Sequence, residues 1–509
     1  MLRPLTKLII LCLLPVYGWT QDIRSDDVDH WVEEARAAFD VPGMAVGILK
    51  NGNVIHKKGY GVRSLLKPGN VDEYTYFGIA SNSKGFTSTA LAILVDEGKI
   101  VWDDPVIKYL PDFKMWDPYI TDHFTIRDLL SHATGLPLGA GDLMWWPDAN
   151  YSPEEVIKNM RYLKPNRGFR TTYEYNNMPF IVAGQIIPAV TGLSYQDFLQ
   201  KRIFDPLGMD RCTANTPIMA DDQNNAAPHA DLGHGAEQVK RYLILDEVVG
   251  SMAAAGIQCS VDDLLIWVNM HIDNGTPLMS KEIHDTLWQI NTPLPVNDNF
   301  REMGVNFRGY GLGYNVSDYY GHRIISHGGA LIGMYSHLSM IPELDLAIVI
   351  TTNQQSAPAY NFIKNKIVDY YLGIENTVSA EDVAARGRAA RQAEADRLTA
   401  LKGNGKPPLF LEQYTGPYED PWWKEVDISL EDDNRLYFKS RRSPSLKGFM
   451  EHFEENTFIV RWDDRTHEAD AFVYFSLNAK SEITGFTMKA ISNLTDFSYD
   501  FHHVNMTKK

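Results

Sequence analysis

Ser81-Asn82-Ser83-Lys84 sets a hydroxyl and a primary amine three residues apart. At the start of a helix that spacing puts both side chains on one face, within hydrogen-bond reach, so the amine can take the serine's proton. A helix N-terminus adds unpaired N–H groups and the positive end of a dipole, which favour negative charge developing nearby. The S-x-x-K pattern is common by itself, and the chain holds a second copy, Ser64-Leu65-Leu66-Lys67. Pro68-Gly69 follows that copy at once, which places it in a turn and not at a helix start. Ser81 is therefore the candidate nucleophile and Lys84 its candidate base.

Two further groupings complete a constellation. Tyr175-Asn176-Asn177 follows a polar loop. A phenol held among cations is expected to have its pKa lowered towards that of a general base, and Asn177 is suited to hold the lysine and orient a substrate amide. His327-Gly328-Gly329 follows the strand-like run Arg323 to Ser326, where paired glycines let a substrate backbone approach a sheet edge. Another His-Gly pair, His234-Gly235, has no strand before it and reads as loop structure.

These residues must be carried by a definite set of elements. An amphipathic helix is expected over Asp27 to Phe39, then strands Met44 to Leu49 and Val54 to Lys58 around the hairpin signal Asn51-Gly52. Apolar residues at helical spacing run from Ser83 to Glu97, and Gly98 marks the stop. The middle, from 105 to 290, mixes short helices with loops rich in Pro and Gly. Strands return at His322 to Ser326, Tyr335 to Ile341 and Leu346 to Thr352, and a helix follows at Ala359 to Leu372. Two early and three late strands imply one antiparallel sheet assembled from both ends of an α/β (α+β) domain. Residues 374–408 form a charged helix ending in a flexible joint, and alternating segments over 409–509 predict a separate all-β domain.

The three motifs arrive in the order S-x-x-K, Y-x-N, H-G-G, and with them the chain resembles the serine β-lactamase, penicillin-binding-protein and esterase superfamily, on its class C-like side. The resemblance spans roughly residues 28 to 372 and extends to Leu91–Pro105, Ile126–Pro137, Pro206–Met209, Ala254–Asp263 and Tyr310–Gly313. It implies a two-lobed fold over 26–373 with a five-stranded antiparallel sheet. It also implies acylation of Ser81, proton transfers shared by Lys84 and Tyr175, and an oxyanion held by the backbone N–H groups of Ser81 and Ala330. Asn177, His327, Gly328 and Gly329 fall to substrate binding, and no metal or organic cofactor is implied. In β-lactamases the third motif usually begins with Lys, a fixed cation for a substrate carboxylate. Here His327 stands in its place, and a histidine is only partly charged near pH 7. That change resembles the esterase and D-amino-acid peptidase members, some of which carry a barrel-like appendage similar to the domain beginning near Tyr414; it is expected to shape access to the cleft.

The bulk properties narrow the partners. The 509 residues are 44% apolar with a formal net charge of -17, which disfavours nucleic acid as a partner. Arg3 and Lys7, the apolar run Leu8 to Leu14 and small residues at Gly18 and Thr20 have a signal-peptide layout over 1–20, and no later run is long enough for a membrane anchor. Export would leave Cys212 and Cys259 as the remaining cysteines, as one disulfide or two thiols. N-x-S/T sequons at Asn150, Asn274, Asn315, Asn493 and Asn505 fit a glycoprotein of a eukaryotic host. The leading expectation is a secreted hydrolase of esters, amides or short peptides. The alternative is an extracellular matrix protein that keeps the fold, since the chain also broadly resembles the gigasin-type proteins of bivalve shell matrix.

Overall fold

Asn51 and Gly52 both adopt left-handed backbone conformations, with φ of 51° and 69°, the pair of values a tight hairpin turn requires. They join β1 (Gly43–Lys50) to β2 (Asn53–Gly61). In this computed structural model, which describes residues 22–215, 223–240, 252–403, 405–431 and 434–509, the expected leader over 1–20 lies outside the described residues. The late strands are β3 (His322–Leu331), β4 (Met334–Ile341) and β5 (Leu346–Thr352). The sheet runs β2-β1-β5-β4-β3, all antiparallel, and β1 pairs with β5 from Met44–Thr352 to Lys50–Leu346. Three short strands, Asn315–Tyr319, Arg308–Tyr310 and Thr292–Leu294, extend this five-stranded centre to eight.

The helices that position the site are α1 (Ser25–Ala38), α2 (Ser83–Asp96), α3 (Met178–Thr191), α4 (Val261–Ile272), α5 (Ala357–Leu372) and α6 (Ala380–Ala400). The strands β1, β4 and β5 at the centre are buried on both faces, so both need covering. Val28 and Val32 of α1 and Ile363 and Ile367 of α5 pack on Val46, Ile348 and Ile350. On the other face α2 is surrounded: twelve of its residues, from Ser83 to Leu94, are buried, and Phe86 stacks on Trp267 of α4 with ring centroids 3.8 Å apart. Burying one such aromatic side chain contributes roughly 1.5–3 kcal/mol. A small sheet of Phe77–Gly78, Gln258–Cys259 and Cys212–Thr213 leads the chain into α2, and the Cys212–Cys259 disulfide ties its strands.

The C-terminal region from Gly416–Asp420 to Asn505–Lys508 is a closed barrel of eight antiparallel strands. It is filled by Tyr418, Trp423, Phe438, Trp462 and Phe486. The charged segment before it is helical over α6, whose surface-exposed Arg391 reaches Glu468 of the barrel. The barrel sits on the loop 138–151. Tyr151 donates to the Trp423 carbonyl at 2.6 Å, Ser445 to Asp148 at 2.7 Å, and Arg442 to both carboxylate oxygens of Glu155. Trp145 and Trp146 are buried under this contact and pack as core residues. No single helix among the described residues is long and apolar enough to cross a membrane.

Candidate active site

Ser81 lies in the one-turn 3-10 helix Ala80–Asn82 that opens α2. Ala80 has φ 51°, a left-handed conformation that costs a non-glycine residue on the order of 1–2 kcal/mol. Neighbouring groups hold the turn against that cost. Ser336 of β4 donates to the Ile79 carbonyl at 2.7 Å and accepts from Asn82 Nδ2 at 2.8 Å, while the Ser83 hydroxyl accepts from the Ile257 N–H at 3.0 Å. A Cβ on Gly329 would come 2.1 Å from the Ile79 carbonyl oxygen and 2.4 Å from Ser336 Oγ, so β3 passes over the turn at a distance only glycine allows. Gly328 has no such constraint, its nearest neighbour being Tyr360 Oη at 3.4 Å. Ser81 is partly exposed while Ala80, Asn82, Ser83 and Lys84 are buried, and the exposed Ala330 follows Gly329 on the strand. The turn thus presents one hydroxyl to solvent at the head of a 14-residue helix.

Lys84 is wholly buried, and its amine has three partners: Ser81 Oγ at 3.0 Å, Asn177 Oδ1 at 2.7 Å and the Ala254 carbonyl at 3.0 Å. The rings of Tyr175 and Phe180 lie 4.8 Å and 5.4 Å from Nζ. No carboxylate among the described residues touches the amine, so desolvation dominates and brings its pKa down to about 7, with Asp142 pulling the other way. Asp142 acts at one remove, accepting from Asn177 Nδ2 at 2.8 Å, and its own burial raises its carboxyl to about 7. Near neutral pH, then, lysine and carboxyl are both poised to exchange protons, with an asparagine amide between them.

Tyr175 neighbours Ser81, whose hydroxyl favours the ionised phenol. The expectation of a lowered phenol pKa is reversed: burial, reinforced by the acidic groups of Tyr173, Asp142 and Asp496 and opposed by the Ser81 hydroxyl, pushes Tyr175 well above its ordinary range, so it stands protonated. His327 is likewise not partly charged. Burial, reinforced by the Lys84 charge, takes it down to about 3, and its ring pairs with the Tyr310 hydroxyl at 2.9 Å and the Gly328 carbonyl. The second S-x-x-K match behaves as a turn: Ser64 Oγ donates to Gln238 and accepts from the N–H groups of Leu66 and Lys67. His234 forms an exposed pair with Glu237.

Four contributors carry no motif in the sequence reading. His132, with φ 55°, accepts the Asn176 N–H on Nδ1 at 3.2 Å and packs 4.2 Å from the Tyr175 ring; burial keeps it neutral. Ala254 and Asp142 supply backbone and carboxylate as described. The fourth comes from the barrel: Ser498 Oγ donates to Asp142 Oδ2 at 2.9 Å, and the neighbouring Phe497 ring lies edge-on to Tyr175 at 5.7 Å. Asp500, two residues on, accepts from the Gly141 N–H at 2.7 Å. Asp500, His502 and His503 bring ligand-type atoms within 4.8 Å of one another: His503 Nδ1 hydrogen-bonds the Asp500 carboxylate and His502 Nε2 lies 3.3 Å from it. Replacing Ser498 with Ala is expected to slow turnover about threefold to tenfold, since it removes one charge-assisted hydrogen bond from the carboxylate that orients Asn177. Steady-state kinetics together with a melting curve check this; an unchanged kcat in the folded variant would contradict it.

Comparison with known proteins bears on both halves of the chain. A family profile described as Beta-lactamase matches residues 28–371, and one described as a domain of unknown function, DUF3471, matches residues 401–508. The unguisins hydrolase ungD' of Aspergillus campestris is 26% identical over 453 residues, 83% of this chain and 80% of that one. Protein flp of Staphylococcus aureus is 25% identical over 337 residues, 65% of this chain and 63% of its own length. The octameric penicillin-binding protein homologue from Pyrococcus abyssi superposes with a TM-score of 0.62 at 21% identity, covering 96% of this chain and 100% of that one. The fold is thus the β-lactamase/transpeptidase-like one, with a closed eight-stranded barrel appended.

Proposed function

The chain belongs to the β-lactamase family of hydrolases, and we propose that it is an exported serine hydrolase that cleaves esters, amides or short peptides through an acyl-enzyme on Ser81. The observation that carries the reading is the buried Lys84 amine, 3.0 Å from the partly exposed Ser81 hydroxyl and held near neutrality by desolvation. The neutral amine takes the Ser81 proton as Oγ attacks the substrate carbonyl carbon. The backbone N–H groups of Ser81 and Ala330 hold the oxyanion. As the carbonyl re-forms, the bond to the leaving alcohol or amine breaks, and that group takes a proton from the Tyr175 hydroxyl, which Lys84 replenishes. Water then enters, gives its proton back along the same route and releases the acid.

The neutral His327 offers no cation for a substrate carboxylate, which favours simple esters and amides over β-lactams. The Cys212–Cys259 disulfide supports export, because reducing cytosol opposes such bonds. A purely structural role in extracellular matrix would leave a buried lysine, costly to desolvate, without a use. The test is turnover of p-nitrophenyl acetate, a β-lactam and D-amino-acid amides across pH. The amine works as base only when neutral, so the rate with the ester is expected to climb as pH rises through about 7. Absence of turnover on every ester, amide and peptide offered would overturn the reading.

A further inference from the structure

A cavity of about 340 Å³ opens on the α5 side of the sheet, between β3, β4, the short edge strands and the segment around Phe300. It is separate from the Ser81 cleft: Ser326, which lines it, precedes His327 on β3, and alternation sends the two side chains to opposite faces. Lys364 of α5 lines the cavity half-buried and makes no hydrogen bond or ion pair with any described residue. The carboxylate acting on it, Asp369, is taken up by the Tyr319 hydroxyl at 2.7 Å and Asn376 Nδ2 at 2.6 Å. Asp318 also lines the cavity, but its oxygens accept from the Asn306 and Phe307 N–H groups and from Asn306 Nδ2. Arg308, stacked on the Phe300 ring at 3.7 Å, adds a second cation to the wall. A half-buried ammonium without a partner loses hydration and gains nothing in exchange, so the site is electrostatically incomplete as it stands.

We propose that this cavity binds a small monocarboxylic acid with an apolar chain, its carboxylate paired with Lys364. Ser326 lines the same wall and supplies a hydroxyl donor, the Ser339 hydroxyl being held by His337 Nε2 at 2.6 Å, while Met303, Val305 and Ile324 form an apolar surface for the chain. The volume lies in the range of small-molecule sites, roughly 300–1,000 Å³. A phosphate would fill the polar end and leave that apolar surface uncovered. Burial lowers the Lys364 pKa only to about 8, so the cation persists at neutral pH. The site does not depend on Ser81 acting as a nucleophile.

Isothermal titration of the whole chain with hexanoate, hexan-1-ol and inorganic phosphate tests this. Hexanoate is expected to bind, with hexanol and phosphate each at least about tenfold weaker, and Lys364→Met is expected to weaken hexanoate by at least about tenfold. Removing an unpaired, partly desolvated cation leaves no partner stranded, and Lys364→Gln gives the same reading should the apolar variant fold poorly. Hexanol matching hexanoate, phosphate exceeding it, or either Lys364 variant retaining wild-type affinity would overturn the proposal. So would hexanoate failing to bind the wild-type protein.

Discussion

Replacing Ser81 with Ala is expected to cut kcat/KM for p-nitrophenyl acetate by at least about ten-thousandfold, the scale on which a catalytic serine nucleophile is missed. No neighbouring hydroxyl can substitute. Ser83 is buried and bonded to the Ile257 N–H, and Thr87 donates to the Ala253 carbonyl at 2.7 Å. The fold should survive, because among the described residues the Ser81 side chain meets only Lys84 and Tyr175, and the lysine keeps Asn177 and Ala254 as partners. A melting temperature within a few degrees of wild type would separate lost chemistry from lost structure. Retention of a tenth or more of the activity would remove Ser81 from the mechanism.

Lys84→Met is the second large effect, expected to lower kcat by about a thousandfold, within the range for loss of a positioned general base. The pH profile makes this specific to proton transfer. In the wild-type protein the amine is protonated and idle below pH 7 and neutral and active above it, so the rate rises with pH through about 7. The methionine variant has no amine to titrate there, and that limb should vanish along with the rate. Stability is expected to change little, since the relief of burying an amine is offset by leaving the buried Asn177 Oδ1 and Ala254 carbonyl without their donor. A variant that kept the pH limb would assign it to another group, Asp142 being the candidate, with its carboxyl raised to about 7.

What the sequence disclosed, and what it hid, follows from where the information resides. The β1–β2 hairpin was legible because Asn51-Gly52 is a local signal with one conformational meaning, and α2 because its apolar spacing and Gly98 mark its extent. β3 runs on to Leu331, beyond the expected end at Ser326, because Gly328 and Gly329 pair with His337 and Ser336 of β4 despite their weak strand propensity. α3 escaped notice: nine of its first ten residues are buried, so it shows no amphipathic period, and Pro188 in its interior argues against a helix. Motif order brought Ser81, Lys84, Tyr175, Asn177 and His327 to one place. The signs of two pKa shifts could not be read the same way, because they depend on how completely Tyr175 and His327 are desolvated, which no spacing encodes. Asp142 and Ser498 were hidden for a related reason: they meet across 356 positions in sequence, at a contact between two domains.

That contact alters the expected part of the C-terminal domain. It was expected to shape access to the cleft, and Phe497 does stand against Tyr175 at its edge. Ser498 and Asp500 go further in, binding Asp142 and the Gly141 N–H, so the loop that orients Asn177 is anchored by the barrel. A catalytic domain cut at 373 would leave the Asp142 carboxylate without its Ser498 donor and the buried Trp145-Trp146 pair without its cover.

The most direct measurement of the central claim is peptide mapping by mass spectrometry after reaction with a fluorophosphonate. The phosphonyl mass should appear on the peptide containing Ser81 and on no other, and labelling should be absent in Ser81→Ala. Label on a different residue, or label that persists unchanged in the Ser81→Ala protein, would contradict the assignment.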